Sequence, residues 1–116
     1  MMKKCVLFVF NGEPMCFIHV LLNALDMKEK ECDVKIVIEG AAVKLIPELA
    51  KTDNPQYKLW EKVKSSGLVD GVCRACSHKL GTLEDAEAQG IALLDDMSGH
   101  PSMLKYMTDG YEVITF

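Results

Sequence analysis

The segment best suited to chemistry reads CRACSHK from residue 73 to residue 79. A cysteine reacts as its thiolate, which nearby positive charge or a helix N-terminus stabilises. We expect Arg74, His78 and Lys79 to supply the charge. Cys76, three residues after Cys73, can act as a resolving thiol that forms a disulfide or takes over a sulfur atom. A buried structural role is the common alternative for one cysteine, but two cysteines with basic neighbours favour thiol chemistry.

These side chains need a scaffold, and the apolar runs of the sequence predict one made of alternating strands and helices. The strands are expected over residues 3–10, 34–38, 68–73, 91–94 and 111–116. Such alternation implies parallel strands joined by right-handed crossovers, with helices on both faces of the sheet. The sequence therefore predicts the α/β class. We expect one domain over residues 1–116, a three-layer α/β/α arrangement with a five-stranded, mostly parallel sheet.

Five helices are predicted from the spacing of apolar residues and from capping signals. They begin at Pro14, within residues 41–50 with a bend at Pro47, after the N-cap Asn54, at the capping box that starts with Thr82, and within residues 101–110. The helix near Thr82 is a second candidate for stabilising a thiolate at Cys73. The helix that begins at Pro14 is apolar on all sides, which indicates deep burial or contact with another subunit.

Ligands of open parallel sheets bind beyond the carboxyl ends of the strands. Three predicted segments lie there, and they cover residues 11–16, 73–81 and 95–102. Asn11, Glu13 and His100 are further candidates for a cleft at this edge. The turn that holds Asn11 and Glu13 lacks the glycine-rich run of a phosphate-binding loop, so a tight turn is its simpler interpretation. His100 either caps the last helix or points into the cleft.

Zinc is a second interpretation of the cysteines, because Cys73, Cys76 and His78 are ligand types that zinc prefers. A four-ligand site would need a second pair, and Cys16 with His19 is the available one. Both residues lie in the apolar first helix, where packing explains them more simply. We therefore predict neither a metal nor an organic cofactor. A thioredoxin-type exchanger is a weaker match, because that motif normally opens a helix early in the fold.

Composition limits the partners and the compartment. The 116-residue chain has a net charge of −4, and its lysines are interleaved with acidic residues, which argues against nucleic-acid binding. No apolar run approaches the roughly 20 residues that cross a bilayer. The apolar run after Lys4 is better interpreted as a strand than as a signal peptide. Five scattered cysteines favour a reducing cytoplasm over a secreted disulfide framework.

The stretch VCRACSHKLG, residues 72–81, resembles the DsrE/DsrF-like family of small sulfur-relay proteins. In that family a strand ends in Val-Cys, and a glycine follows eight residues after the cysteine, as Gly81 follows Cys73 here. The resemblance implies that Cys73 accepts sulfur as a persulfide and exchanges it with donor and acceptor proteins. It also implies a homo-oligomer, either a trimer or a hexamer. The sequence lacks the arginine pair that relay members often carry before that glycine, and Cys76 has no fixed counterpart.

Two functions of different classes follow. The first is a sulfur carrier or sulfurtransferase-like protein, with a persulfide on Cys73 that Cys76 relays or resolves. The second is a non-catalytic homo-oligomeric binding or assembly protein, in which the cysteines are incidental or bind a metal. The first function requires a Cys73 sulfur that solvent reaches and that ionises near neutral pH.

Overall fold

One sheet of parallel strands runs through the computed structural model, which describes residues 2–116. The strands are β1 (Lys4–Val9), β2 (Asp33–Ile38), β3 (Val69–Cys73), β4 (Leu93–Leu94) and β5 (Glu112–Thr115). Their order in the sheet is β4-β3-β2-β1-β5. The chain therefore adds strands toward one edge after β1 and returns to the opposite edge with β5. The predicted α/β class and the parallel sheet are confirmed.

Six α-helices fill the connections within the described residues. They are α1 (Pro14–Glu29), α2 (Leu45–Leu49), α3 (Tyr57–Ser65), α4 (Arg74–Lys79), α5 (Leu83–Ala88) and α6 (Met103–Thr108). A 3-10 helix over Gly40–Lys44 leads directly into α2, so the helix type changes after Lys44, whereas Pro47 lies inside α2. This 3-10 helix follows β2 and lies against α4. It thereby packs the segment that follows β2 against the helix that follows β3.

The two faces of the sheet carry unequal layers. Successive residues of a strand point to opposite faces, and β1 shows this alternation. Leu7 and Val9 belong to the main core, whereas Val6 and Phe8 belong to a smaller cluster on the other face. The main core is completed by side chains of α1, α2, α3 and α5. The smaller cluster is covered by α6, through Tyr106, so the predicted third layer consists of one short helix.

Gln89, just after α5, connects the helices of the main layer. Its Oε1 atom accepts hydrogen bonds from Nε1 of Trp60 and from Nζ of Lys64, both at 2.9 Å. Its Nε2 atom donates to the backbone oxygen of Ile46 at 2.9 Å. Trp60 also packs against Phe17 of α1, with ring centroids 5.9 Å apart. One amide side chain thus satisfies the polar groups that the packing of α2 and α3 would otherwise leave without partners.

The first helix is buried on one side only. Phe17, Val20 and Leu21 are inaccessible to solvent, whereas Met15 is 69% exposed and Leu22 is 49% exposed. Its apolar residues therefore extend beyond the contact with the sheet and leave an apolar outer surface. No helix in residues 2–116 has both the length and the apolar character needed to cross a bilayer.

Two local predictions were wrong, and one helix was not predicted. Gln56, and not Asn54, is the N-cap of α3, because the Asn54 side chain accepts a bond from the Gln56 amide within the preceding turn. Thr82 occupies the N-cap position of α5, but its buried Oγ1 atom has no hydrogen-bond partner among the described residues, so the capping box does not form. Helix α4 was not predicted. This short helix changes the surroundings of both cysteines.

Candidate functional site

Cys73 is the last residue of β3 and the N-cap of α4, so its side chain lies at a strand-to-helix turn. Its Sγ atom accepts a hydrogen bond from the backbone N–H of Cys76 at 3.4 Å. The first amides of a helix have no partner within the helix, and this bond satisfies one of them. The Cys73 side chain is 0% exposed. The turn fixes the sulfur at the carboxyl end of the sheet, with an amide pointing at it.

His100 contacts the same sulfur from the loop between β4 and α6. Its Nδ1 atom lies 3.1 Å from Sγ of Cys73. The neighbouring Gly99 carbonyl oxygen lies 3.8 Å from that sulfur and accepts a bond from the Ala75 amide at 2.9 Å. The N-cap of α6 is Ser102, so His100 does not cap the last helix. Of the two roles considered for His100, the structure favours the side chain in the cleft.

Glu39 completes the cluster, and the sequence analysis did not identify it. It follows β2 directly, is 7% exposed, and places Oε1 4.0 Å from Nδ1 of His100. The ligand atoms of Glu39, Cys73, Cys76 and His100 all lie within 4.8 Å of one another. The signal available in the sequence was the position of Glu39, which directly follows β2, the neighbour of β3, because parallel strands end at the same edge of a sheet.

Burial dominates the electrostatics of this cluster. It raises the pKa of the Cys73 thiol to about 12; the Cys76 amide acts in the opposite direction but is outweighed. Burial also raises the pKa of the Glu39 carboxyl, against the opposing effect of His100. A pKa this high favours the neutral thiol in this conformation. The expectation that the Cys73 sulfur is exposed and ionised near neutral pH is not met by this conformation.

The three basic residues predicted to stabilise the thiolate point elsewhere. The Arg74 guanidinium pairs with Asp95, with NH1 3.5 Å from Oδ2, and both side chains are more than half exposed. His78 and Lys79 lie exposed in the last turn of α4. None of the side-chain hydrogen bonds or ion pairs of residues 2–116 joins Arg74, His78 or Lys79 to the Cys73 sulfur. Helix α4 causes this, because it carries these residues away from its own N-cap.

Asn11 and Glu13 lie at the same edge but serve the start of α1. The Asn11 Oδ1 atom accepts a bond from the Glu13 amide at 2.8 Å, and Glu13 Oε1 accepts from the Met15 amide at 3.4 Å. The Asn11 amide group also contacts Sγ of Cys16 at 3.7 Å. These contacts form a helix cap, which agrees with the tight turn expected for this segment. Cys16 and His19 are exposed on α1, so the second zinc pair considered from the sequence does not join Cys73.

A shallow cavity of about 510 Å³ opens beside the cluster. Glu39 and His100 form part of its wall, and most of the remaining wall is apolar. That apolar part includes Phe10, Met97 and Leu104, which are 37%, 52% and 69% exposed. The cavity gives another molecule a surface on which to approach His100 and the sulfur behind it.

Together these features define a small parallel α/β protein with a cysteine pair, a histidine and a glutamate at the carboxyl edge of its sheet. The family model described as the DsrE/DsrF-like family matches residues 4–116, which is nearly the whole chain. The chain therefore belongs to the DsrE/DsrF-like family, and the resemblance seen around residues 72–81 is confirmed.

Relatives occur among archaeal proteins. An uncharacterized protein of Methanocaldococcus jannaschii, MJ0733, is 36% identical over 96 residues, which are 83% of this chain and 76% of that protein. Two uncharacterized proteins of Archaeoglobus fulgidus match shorter segments. One is 38% identical over 42 residues, covering 36% of this chain and 69% of that protein. The other is 43% identical over 37 residues, covering 32% of this chain and 100% of that protein.

The fold also has a counterpart among solved structures. A conserved protein of unknown function from Bacteroides thetaiotaomicron, BT1422, superposes with a TM-score of 0.70 at 17% identity. The match covers 98% of this chain and 95% of that chain. At this identity the likeness establishes the shared fold.

Proposed function

We propose that this protein is a small sulfur carrier or sulfurtransferase-like protein that accepts a sulfur atom on Cys73 as a persulfide. The observation that carries the proposal is the 3.1 Å contact between Cys73 Sγ and His100 Nδ1 at the N-terminus of a helix. The imidazole can take the thiol proton, and the Cys76 amide can stabilise the sulfur anion that remains. Membership of the DsrE/DsrF-like family supports the same function.

The transfer step is a displacement at sulfur. As the thiol proton moves to His100, Sγ of Cys73 attacks the outer sulfur of a donor persulfide. A new S–S bond forms on Cys73 while the S–S bond of the donor breaks. The bonding electron pair leaves with the donor thiolate, so the outer sulfur moves without a net change of oxidation state. His100 acts here as the general base, which is the role its contact with the thiol allows.

Access to the sulfur requires a movement of the loop that carries His100. The Gly99 carbonyl and the His100 ring lie against Sγ, and the cavity lined by Phe10 and Leu104 begins on their outer side. A donor that docks in this cavity and displaces the loop would expose the thiol. Exposure also removes the burial that raises the pKa of the Cys73 thiol, so docking and activation of the sulfur are coupled.

Cys76 is the candidate for the second step. Its Sγ lies within 4.8 Å of Sγ of Cys73, and its side chain is half-buried. Attack of Cys76 on the outer sulfur of the Cys73 persulfide would relay that sulfur to Cys76. Attack on the inner sulfur would instead form a Cys73–Cys76 disulfide and release hydrosulfide. The products differ in mass and in free-thiol content.

The proposal includes protein partners and self-association. Sulfur donor and acceptor proteins suit an open apolar cavity better than a small metabolite does. The exposed apolar side of α1, with Met15 and Leu22, supports a homo-oligomer, for which a trimer or a hexamer is the expected state. A cytoplasmic location belongs to the same proposal, since all five cysteines are free thiols.

The decisive experiment loads the protein with sulfur in a background where other accessible cysteines are removed. Cys16→Ser and Cys32→Ser are combined, because Cys16 is exposed and Cys32 is half-buried and either thiol can react nonspecifically. This protein is incubated with inorganic polysulfide, and intact-mass spectrometry counts the added sulfur atoms. We expect one added sulfur per chain, located on the peptide that contains residues 73–76 and removed by a thiol reductant.

Three variants of that background complete the test. Cys73→Ser should abolish the added mass, and Cys5→Ser should leave it unchanged. Cys76→Ser should retain the persulfide on Cys73 and prevent both relay and disulfide formation. If sulfur is found on other residues at the same level in Cys73→Ser, the proposed function is wrong.

A further inference from the structure

We propose that Glu39, Cys73, Cys76 and His100 form a binding site for a divalent transition-metal ion, with zinc as the expected ion. The inference does not depend on the sulfur-transfer function, because it follows from the identity and arrangement of the four side chains. The ligands that sequence analysis considered for zinc were Cys16, His19 and His78 beside the two cysteines. The structure offers a different set, gathered from three separate segments of the chain.

The donor types fit zinc. Two thiolates, one imidazole nitrogen and one carboxylate oxygen are all established zinc ligands, and four of them complete a tetrahedral shell. Cys73 and Cys76 have the Cys-x-x-Cys spacing frequent in zinc sites, with the first cysteine at the N-cap of α4. Soft thiolates together with an imidazole favour zinc over calcium or magnesium, which prefer oxygen ligands.

The distances are close to those of a metal shell. Zinc binds sulfur at about 2.3 Å and nitrogen or oxygen at about 2.0 Å, so tetrahedral ligands lie about 3.3–3.8 Å apart. Here Nδ1 of His100 lies 3.1 Å from Sγ of Cys73 and 4.0 Å from Oε1 of Glu39. All four ligand atoms lie within 4.8 Å of one another. Shifts of less than about 1 Å would bring them into coordination distance.

Apart from the imidazole of His100, the surroundings of Glu39 and Cys73 within residues 2–116 lack a source of positive charge. Glu39 is 7% exposed and Cys73 is 0% exposed, yet no ion pair among the described residues brings a lysine or arginine to either of them. Arg74, the basic residue next in sequence, pairs with Asp95. Burying Glu39 and Cys73 in their ionised forms is costly unless a cation accompanies them. A divalent ion held between these side chains would supply that charge.

The site also has features that support the ligands and admit the ion. The Cys76 amide donates to Sγ of Cys73 at 3.4 Å, which orients the sulfur and stabilises it as a thiolate. The loop that carries His100 is tied to α4 by the bond between the Ala75 amide and the Gly99 carbonyl. Cys76 and His100 are half-buried, so the cluster is reached from their side.

Binding is tested on the full chain after removal of metals with a chelator. Zinc is titrated in competition with a chromogenic chelator, and cobalt(II) is titrated separately while its absorption spectrum is recorded. We expect one ion per chain, and a cobalt spectrum with thiolate charge-transfer bands and the intense ligand-field bands of tetrahedral geometry. Octahedral cobalt without thiolate bands would overturn the proposal, and so would the absence of binding.

Variants identify the ligands. Cys76→Ser, His100→Ala and Glu39→Gln should each weaken zinc binding at least about tenfold, since each removes one ligand. The matched controls Cys16→Ser and His78→Ala should bind as the unmodified protein does, because these residues lie outside the cluster. Circular dichroism confirms the fold of each variant, and the cobalt spectrum of the unmodified chain tests the thiolates even if a variant fails to fold. Unchanged affinity in folded Cys76→Ser would refute the site.

The sulfur-loading and metal-binding experiments can refute their two proposals independently. A chain that takes up polysulfide sulfur on Cys73 but shows no cobalt thiolate bands retains the proposed function and loses the metal site. A chain with the opposite results retains only the metal site. If both hold, zinc should prevent sulfur loading of Cys73, because both use the same Sγ atom, and a chelator added afterwards should restore loading.

Discussion

Sγ of Cys73 and Nδ1 of His100 meet at 3.1 Å although 27 residues separate them in the chain. One of them ends β3 and the other lies in the loop after β4, so the pairing of these two strands brings them together. A thiol and an imidazole in contact can exchange a proton directly. The proposed reactivity of the buried sulfur depends on this pair.

Replacing His100 should slow the loading of sulfur onto Cys73. His100→Ala removes the base that contacts the thiol, and general-base assistance typically contributes at least about 100-fold to a rate. We expect a decrease of about this size in the rate of polysulfide uptake, measured by intact mass over time. His78→Ala is the matched control, since His78 is exposed on α4 and should leave the rate unchanged. If both variants take up polysulfide sulfur at the same rate, His100 is not the general base.

In the folded, metal-free protein the Cys73 thiol should remain protonated well above neutral pH, because burial raises its pKa to about 12. NMR of protein with labelled cysteine can follow the Cβ shift of Cys73 from about pH 7 to about pH 10, and no ionisation should be seen. In the urea-unfolded chain the same thiol should titrate near its ordinary value of about 8.5. A folded-state midpoint below about pH 8 would contradict the prediction.

The same shift has a consequence for stability. Between the two pKa values the unfolded chain loses the Cys73 proton while the folded chain keeps it. The free energy of unfolding should therefore fall as the pH rises from about 8.5 toward 12. Cys73→Ala removes this thiol, so its unfolding free energy should depend less steeply on pH over that range. Urea titrations at several pH values measure the difference.

Gln89→Ala should destabilise the protein by about 2 kcal/mol, because it leaves two polar groups without partners in the helical layer. These groups are the indole N–H of Trp60 and the backbone oxygen of Ile46, which Gln89 bonds at 2.9 Å. Urea unfolding measures the change. Glu87→Ala is the control, since Glu87 is exposed on the same short helix and should change stability little.

Gly71→Ala should separate β4 from β3. A Cβ atom at Gly71 would lie 2.6 Å from Cγ of Leu94 and 2.7 Å from the backbone oxygen of Ala92. We expect a loss of about 2–3 kcal/mol in unfolding free energy, together with displacement of the loop that carries His100. Weaker sulfur loading and altered NMR shifts of His100 would report that displacement.

Gly81→Ala provides the comparison for Gly71→Ala. A Cβ atom at Gly81 meets nothing within 4 Å, so its cost comes only from the positive φ of 75°. That cost should be about 1 kcal/mol. The shifts of His100 should stay unchanged in this variant. Equal displacement of His100 in both variants would show that the contact with Leu94 is not what positions the loop.

Leu22→Glu should weaken self-association if α1 forms the interface between copies. It places a charge on a residue that is 49% exposed within an apolar helix surface. Size-exclusion chromatography with light scattering should show an oligomer for the unmodified protein and a smaller species for the variant. Asn23→Glu adds the same charge to the neighbouring exposed position and should leave the mass unchanged. A monomeric unmodified protein would refute the homo-oligomer.

The sequence alone predicted the edge of the sheet at which the candidate site lies, because alternating strands and helices imply parallel strands with a common carboxyl end. Cys73 and His100 were candidates for that reason. Glu39 was not, because a glutamate before a glycine at the end of a strand looks like an ordinary turn. Its role depends on β2 lying next to β3, and strand order is set by long-range pairing that apolar periodicity does not encode.

The surroundings of the thiol were harder to predict than its position. Basic residues next to Cys73 in sequence suggested stabilisation by charge, but Cys73 itself begins α4 as its N-cap. The helix then carries Arg74 and Lys79 outward, while the sulfur stays beneath the loop of His100. Short helices of this kind have weak sequence signals because tertiary contacts stabilise them more than residue propensity does.

The strand that leads into the His100 loop has only two residues, Leu93 and Leu94, and it pairs with β3 through Val72 and Cys73 alone. A two-residue strand at the edge of the sheet can detach while the remaining strands stay paired. The free energy of this local opening is expected to be well below that of global unfolding. Hydrogen exchange at the amides of this segment reports the frequency of such events. In the proposed function, reaction of the buried thiol would depend on the population of this detached form, which a partner that binds the detached form in preference would increase.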